Sequence, residues 1–301
     1  MVLIMGCTAG GKSSLAFELA RRLAGQILSV DSMKVYRRMN IGSAKPSTQR
    51  LREIPHHLVD VVEPADSFSL GRYMELADAA IADLRQRNIP IIAAGGTGMY
   101  LRGLLEGVFE GPAADAELRE RLNQLVRQQG LQPLHVRLGQ VDPEAAARIH
   151  PNDQKRIVRA LEVFELTGKP ISTYHTQFRS GNYRHPWVLF ELRREKEDAS
   201  HRINLRVRRM VEQGLVEEVR ALWSEGMSPQ AAQGVGYAEI IEHLEGRCEL
   251  TDAIEQIKVN TRRLAKSQRT WFRSFSGTQV LDAATDTTVE EMADRVISRL
   301  P

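Results

Sequence analysis

Val2-Leu3-Ile4-Met5-Gly6-Cys7-Thr8-Ala9-Gly10-Gly11-Lys12-Ser13 is the stretch on which the fold turns. Val2 to Met5 is an apolar run of strand length that breaks off at glycine-rich sequence. Gly6 to Ser13 then matches the pattern G-x-x-x-x-G-K-[ST] in full. Glycines let such a loop curl until successive N–H groups point at one anion. Leu15, Leu19 and Leu23 follow at helical spacing until Gly25 supplies a stop. A helix N-terminus at the loop adds positive potential, Lys12 adds a full charge, and Ser13 offers a hydroxyl to Mg²⁺. A glycine-rich turn that happens to contain Lys-Ser is the bland alternative. The agreement of pattern and context predicts a di- or triphosphate ligand and does not specify ATP.

Outward from the loop, Gln26 to Val30 and Ile89 to Ala94 read as further strands. Leu70, Tyr73, Met74, Ala77, Ile81 and Leu84 mark an amphipathic helix between them. The alternation lapses after about residue 110. Gly111 to Asp115 is linker-like, and Leu118, Leu122, Leu125 and Val126 form a helical stripe ending at Gly130. Another helix starts at Asn152 or Asp153 and carries Ile157, Leu161 and Phe164 inward before Gly168. After a loop at Ser180 to Pro186, strand patterns return at Trp187 to Leu192 and Gln279 to Asp282. Thr288 with Glu291 forms a capping box for a last helix. The expected fold class is α/β: a P-loop parallel-sheet core with helices on both faces and an inserted all-helical domain. The core is expected in two parts, residues 1–111 and 187–301, with the insertion at 112–186.

The chain has 301 residues, 42% hydrophobic and 26% charged, which argues against a disordered or fibrous protein. Lys and Arg number 41 against 38 Asp and Glu, a net +3 that does not by itself announce a nucleic-acid binder. No apolar run nears the roughly 18–20 residues of a membrane span, and no secretory leader is evident. Cys7 and Cys248 cannot build a disulfide framework, and no Cys/His cluster has zinc-site spacing. The expectation is a cytoplasmic protein with no membrane partner.

Two acids close apolar strand candidates near the phosphate loop: Asp31 after Ile27 to Val30, and Asp60 after Leu58-Val59. Either could help hold a metal. At a strand's C-terminal end Asp31 would face the ligand crevice, although an Asp there can also cap the next element. Gly95-Gly96-Thr97-Gly98 repeats the strand-to-glycine arrangement, with Thr97 able to hydrogen-bond a ligand. On a helical wheel over Asp252 to Arg273, Lys258, Arg262, Lys266, Arg269 and Arg273 fall within about 80°. No Asp or Glu lies between Lys258 and Arg273. Like charges at four-residue spacing repel, so the stripe suits a polyanion unless acids elsewhere neutralise it. Lys155, Arg156 and Arg159 stand in the first turns of a helix, where cations oppose the dipole. Arg119 and Arg121 could extend that patch, and Arg202, Arg206 and Arg209 could face either RNA or phosphates.

In this order the motifs resemble the tRNA dimethylallyltransferase family, the isopentenyl transferases that modify adenosine beside the anticodon. The resemblance rests on Gly6–Ser13, Asp31–Tyr36 with Ile41–Pro46, Gly95–Tyr100, His150–Asp153 with Arg156 and Arg159–Val163, Gly214–Val219, Gly234–Tyr237 and Thr261–Arg273. It implies transfer of a dimethylallyl group from dimethylallyl pyrophosphate to the exocyclic amine of adenine, with Mg²⁺. It further implies Asp31 as general base and Thr97 on the channel wall. The pyrophosphate would meet Lys12, Arg206 and the loop residues Gly6, Thr8, Ala9, Gly10, Gly11 and Ser13, with Ser13 on the metal. tRNA contacts are implied for Asp31, Ser32, Met33 and Lys34, for Thr97 and Arg119, and for Lys155, Arg156, Ile157, Val158 and Arg159. Gln233, Gly236, Tyr237, Arg262, Lys266 and Arg269 complete that set. The resemblance is to the short bacterial type, without a zinc-finger extension, and a monomer is expected. Against the usual pattern, Cys7 stands where proline is common, Lys34 where glutamine is frequent, and Ser267 where arginine is frequent.

Three other readings use part of the sequence. A phosphate-loop kinase of a small metabolite, or an enzyme prenylating free adenine nucleotides, would leave the cationic helix idle. A non-catalytic RNA-binding protein would leave Asp31 without a purpose.

Overall fold

The computed structural model describes residues 1–108, 111, 112, 114–174 and 183–301. In chain order the first elements are β1 (Val2–Gly6), α1 (Lys12–Arg22), β2 (Gln26–Val30), α2 (Thr48–Glu53), β3 (His56–His57), α3 (Leu70–Gln86), β4 (Ile91–Gly95) and α4 (Gly98–Glu106). Four helices follow: α5 (Ala116–Gln129), α6 (Gln132–Val141), α7 (Pro143–Arg148) and α8 (Gln154–Thr167). The chain then forms β5 (Val188–Arg193), α9 (Lys196–Glu212), α10 (Leu215–Glu225), α11 (Pro229–Ala232) and α12 (Tyr237–Leu244). It ends with α13 (Leu250–Phe272), β6 (Gln279–Asp282) and α14 (Val289–Ile297). The loop expected at 180–186 lies partly outside the described residues.

β1 is apolar along its whole length because both of its faces are covered, as in a parallel sheet. The six strands lie in the order β3-β2-β4-β1-β5-β6 and all pair in parallel, with Ile4 beside Ala94 on one side and Phe190 on the other. On one face Val2, Ile4, Phe190 and Leu192 pack against Leu15 and Leu19 of α1 and Met292 and Val296 of α14. On the other, Tyr73 of α3 donates to the Ser29 carbonyl and stacks on Tyr100 of α4. The ends of β1, β2 and β4 therefore open on one edge of the sheet, the usual place for a ligand crevice.

The stop after α1 is made differently from the sequence expectation. Ala24 takes the left-handed turn, at φ 49°. Gly25 serves close approach instead, since a Cβ there would stand 2.6 Å from the Pro90 carbonyl oxygen.

The chain divides into two compact units, Met1–Leu105 with Tyr183–Pro301, and Glu106–Asn182. In the second, Asp115 and Asp153 cap α5 and α8, and Gly130 and Gly168 end them. Leu118, Leu122, Leu134, Leu138, Ile157 and Leu161 form its own core.

Candidate active site

Gly11 is the N-cap of α1 at φ 101°, a conformation that L side chains seldom adopt. With no side-chain cap there, the first amides of α1 stay available to an anion. The Cys7 carbonyl accepts from the Gly10 amide at 3.1 Å and from Lys12 Nζ at 2.7 Å, which curls the loop over its own lysine. Burial lowers the Lys12 pKa to about 8, and the cations Lys34 and Arg206 push in the same direction. Arg206, on α9, is also held below the ordinary guanidinium value by burial, with Asp31 pulling the other way. Among the described residues no hydrogen-bond acceptor is recorded for the Arg206 guanidinium. It borders two cavities, of about 610 and 710 Å³. A half-buried cation with a carboxylate nearby but no hydrogen-bond acceptor among the described residues is the arrangement an anionic ligand relieves.

The cavity of about 610 Å³ brings together Lys12, Ser13, Asp31, Lys34, Thr97 and Arg206. Asp31 closes its own turn and does not cap the next helix, which begins at Thr48. One carboxylate oxygen, Oδ1, accepts from the amides of Met33 at 2.9 Å and Lys34 at 3.3 Å, so the acid fixes its own turn. The residue still lines the cavity. Thr97 Oγ1 accepts from the Ser32 amide at 3.1 Å and so holds the segment that carries the acid, while also facing the cavity. Asp60 does not line this cavity, and its carboxylate is engaged by Lys45, which also donates to the Asn40 side chain.

Two residues central to this geometry escape sequence reasoning. Gln268 of α13 accepts from the Thr8 amide at 2.9 Å and donates to the Gly96 carbonyl at 3.0 Å, joining the phosphate loop to the turn after β4. Arg194 donates to the Gly10 carbonyl at 2.8 Å and pairs with Asp198 at 3.1 Å. Each looks like an ordinary surface residue in the sequence, and only the fold brings it to the loop. A Cβ on Gly98 would stand 2.3 Å from the Trp271 ring, so α13 also packs tightly on the second glycine segment. Cys7 sits comfortably beneath the same helix, its Sγ donating to the Ala265 carbonyl at 3.3 Å.

Several expected tRNA contacts are placed elsewhere. Lys34 turns its ammonium to Ser13 Oγ at 3.3 Å, into the cavity beside the glycine-rich loop. The Tyr237 side chain is fully buried and donates to Glu218 at 2.7 Å, while Gly236 is buried beside it; neither presents a surface to RNA. Glu218 also accepts from the amides of Asn40, Ile41 and Gly42 and so holds that segment. Gln233 is exposed, and Gly234 lets Met33 approach. Arg202 pairs through its Nε with Asp198 at 3.1 Å and lines the cavity of about 710 Å³ with Arg206.

On α13 the cationic stripe is only partly neutralised. Lys258 pairs with Glu255 at 2.6 Å, and Arg262 donates to the neutral Asn204 side chain at 2.9 Å. Among the described residues no carboxylate pairs with Arg262, Lys266, Arg269 or Arg273. In the helical unit the outcome differs. Ile157 is a core residue with no exposure, so its side chain is unavailable to RNA. Val158 is buried too, on the wall of a cavity of about 890 Å³ that Arg119, His150, Lys155 and Arg159 also line. Arg119 and Arg159 reach the buried Glu162 at 2.9 and 2.7 Å, and Arg121 and Arg156 pair with Glu165 and Asp153.

Ser13 and Asp31 offer hard oxygens of the kind Mg²⁺ prefers, and such an ion usually shares its shell with phosphate and water. No described group of three His, Cys, Asp or Glu side chains could hold a metal by itself. No described helix is long and apolar enough to cross a membrane.

A parallel sheet that opens a phosphate loop and a strand-end carboxylate into one cavity defines a phosphate-loop enzyme of group transfer. The particular family follows from comparison with known proteins. The family described as IPP transferase matches residues 34–275, and that described as isopentenyl transferase matches residues 1–60. The chain is 46% identical over 278 residues to the tRNA dimethylallyltransferase of Geobacter metallireducens, covering 92% of this chain and 90% of that one. It resembles the solved tRNA isopentenylpyrophosphate transferase of Bacillus halodurans at 37% identity and TM-score 0.71, over 99% of this chain and 95% of that one. A eukaryotic dimethylallyltransferase captured acting on tRNA superposes at TM-score 0.84 with 28% identity, over 100% of this chain and 80% of that one. The chain belongs to the IPP transferase family.

Proposed function

We propose that this enzyme transfers a dimethylallyl group from dimethylallyl pyrophosphate to the exocyclic N6 amine of the adenosine beside the anticodon in tRNA. The observation that carries the reading is the single cavity shared by the phosphate loop and Asp31. Met33, Met99, Leu264 and Trp271 give it apolar wall for a prenyl chain and a base. The adenosine must leave its stack to reach such a cavity, because the amine cannot react from within one.

In the transfer, the amine nitrogen bonds to the allylic carbon as the bond from that carbon to the pyrophosphate oxygen breaks. Asp31 hydrogen-bonds the amine and accepts the proton it loses. Lys12, Arg206 and the loop amides stabilise the charge that develops on the departing pyrophosphate. Ser13 would hold a Mg²⁺ ion, which when bound supplies further positive charge to the phosphate oxygens. Gln268 and Arg194 act through the loop, fixing its shape. Arg262, Lys266 and Arg269 would meet RNA phosphates, and the proposed location is the cytoplasm.

Incubation with unmodified tRNA, Mg²⁺ and labelled dimethylallyl pyrophosphate should place label in the tRNA. Absence of transfer together with ATP turnover on a metabolite refutes the reading. Asp31→Asn should cut the transfer rate by about 10²–10⁴-fold with tRNA binding retained, the usual span for a lost general base. Near-normal turnover removes Asp31 from that role.

A further inference from the structure

Lys34 lies four residues beyond the end of β2, on the same turn that Asp31 fixes by accepting the Met33 and Lys34 amides. The turn therefore places a carboxylate and an ammonium together at the phosphate loop. Lys34 Nζ donates to Ser13 Oγ at 3.3 Å, the hydroxyl that the loop motif offers to a metal. Lys12, Lys34 and Arg206 thus line one cavity, with Asp31 as the nearby opposing charge and Lys45 adding a further repulsion on Lys34. Three converging cations against one carboxylate are costly to bury unless an anion of higher charge completes the site. An ammonium carries three donors, so one bond to Ser13 leaves two for phosphate oxygens.

We propose that Lys34 supplies a protein-borne cation to the pyrophosphate on the side of Ser13, so that this enzyme depends less on a divalent metal to hold the anion. The proposal deepens the prenyl-transfer reading and rests on it for the identity of the anion. Lys34 is then a pyrophosphate-binding residue, and the tRNA contact expected of it from the sequence falls away.

The test is binding of inorganic pyrophosphate by calorimetry, in EDTA and again in excess Mg²⁺, to the wild type and to Lys34→Gln. Loss of one charge near the anion should weaken binding roughly tenfold in EDTA, about the effect of 1.4 kcal/mol. Excess Mg²⁺ should narrow the gap to about threefold or less, because the ion then supplies the missing charge. Lys34→Arg, which keeps the charge, should retain most of the metal-free binding. If Lys34→Gln does not fold by thermal melting, Lys34→Met serves as the uncharged variant of similar length. Equal binding by wild type and uncharged variant in EDTA overturns the proposal, and so does a loss that Mg²⁺ leaves undiminished. Failure of wild-type enzyme to label tRNA refutes prenyl transfer but leaves the pyrophosphate result standing. Normal labelling with unaltered pyrophosphate binding refutes the role of Lys34 alone.

Discussion

Two clusters of cations read alike in the sequence, and the fold treats them oppositely. On α13, Arg262, Lys266, Arg269 and Arg273 have no carboxylate partner among the described residues. In the helical unit, Arg119 and Arg159 converge on one buried glutamate, Glu162, which also accepts from the Asp115 amide at 2.7 Å. The first cluster is left with charge that no described carboxylate answers. The second spends much of its charge inside, where a carboxylate with no exposure demands it. Charge density along a sequence therefore says less than which acids the fold brings beside it.

The sharpest way to break this contrast is to remove Glu162. Glu162→Ala takes their shared carboxylate from Arg119, Arg159 and the Asp115 amide, although Arg159 still donates to the Pro112 carbonyl at 2.7 Å. Breaking a buried pair costs about 3–5 kcal/mol, and the partial exposure of both arginines favours about 3 kcal/mol here. Hydrogen exchange at the amides of α5 and α8 should report the loss, and unchanged protection means that Glu162 does not organise the unit. Acid gives an independent check. Burial alone would raise the Glu162 pKa, but hydrogen bonds from Arg159, the Asp115 amide and Arg119 outweigh it and hold it below 4.5. A depressed folded pKa stabilises the unit above the unfolded value and is lost as pH falls through the folded one. Protection of α5 and α8 should therefore decline below about pH 4.5 in the wild type and much less so in Glu162→Gln.

The sheet was legible because β1, β2, β4 and β5 are short apolar runs with glycine or polar stops, a signal that needs no tertiary information. The ends of α5, α8 and α14 were legible for the same local reason, since their caps lie beside them in sequence. β3 was not, because two histidines paired with Ile27 and Leu28 carry no periodicity. At the site, the phosphate loop and Asp31 announce themselves through spacing and position. Gln268 and Arg194 do not, because their loop partners lie 260 and 184 residues away. Tyr237 and Ile157 mislead in the opposite direction. Their segments carry the family's pattern, yet their side chains hold the core together.

The next test asks whether the free charge on α13 is used. Replacing Arg262, Lys266 and Arg269 together with glutamine should weaken tRNA binding on the order of a hundredfold at moderate salt. The slope of log affinity against log salt should flatten by about 2, near what three lost phosphate contacts imply. An unchanged slope returns the helix to an ordinary solvated face.

The smallest effect is the most discriminating, because it falls in the cluster that the fold has mostly neutralised. Lys155 is exposed on the rim of the cavity formed with Arg119, His150 and Arg159, and no carboxylate pairs with it among the described residues. Its neighbour Arg156 pairs with Asp153 at 3.4 Å, and Asp153 also caps α8, offsetting the cost of cations near a helix start. If free charge is what meets RNA, Lys155→Gln should weaken tRNA binding about threefold and flatten the salt slope by less than 1. Arg156→Gln, which removes a charge already answered by Asp153, should do less than that. Should Arg156→Gln prove the more damaging, spatial neutralisation is the wrong criterion, and the cations of the two units act alike despite their different partners.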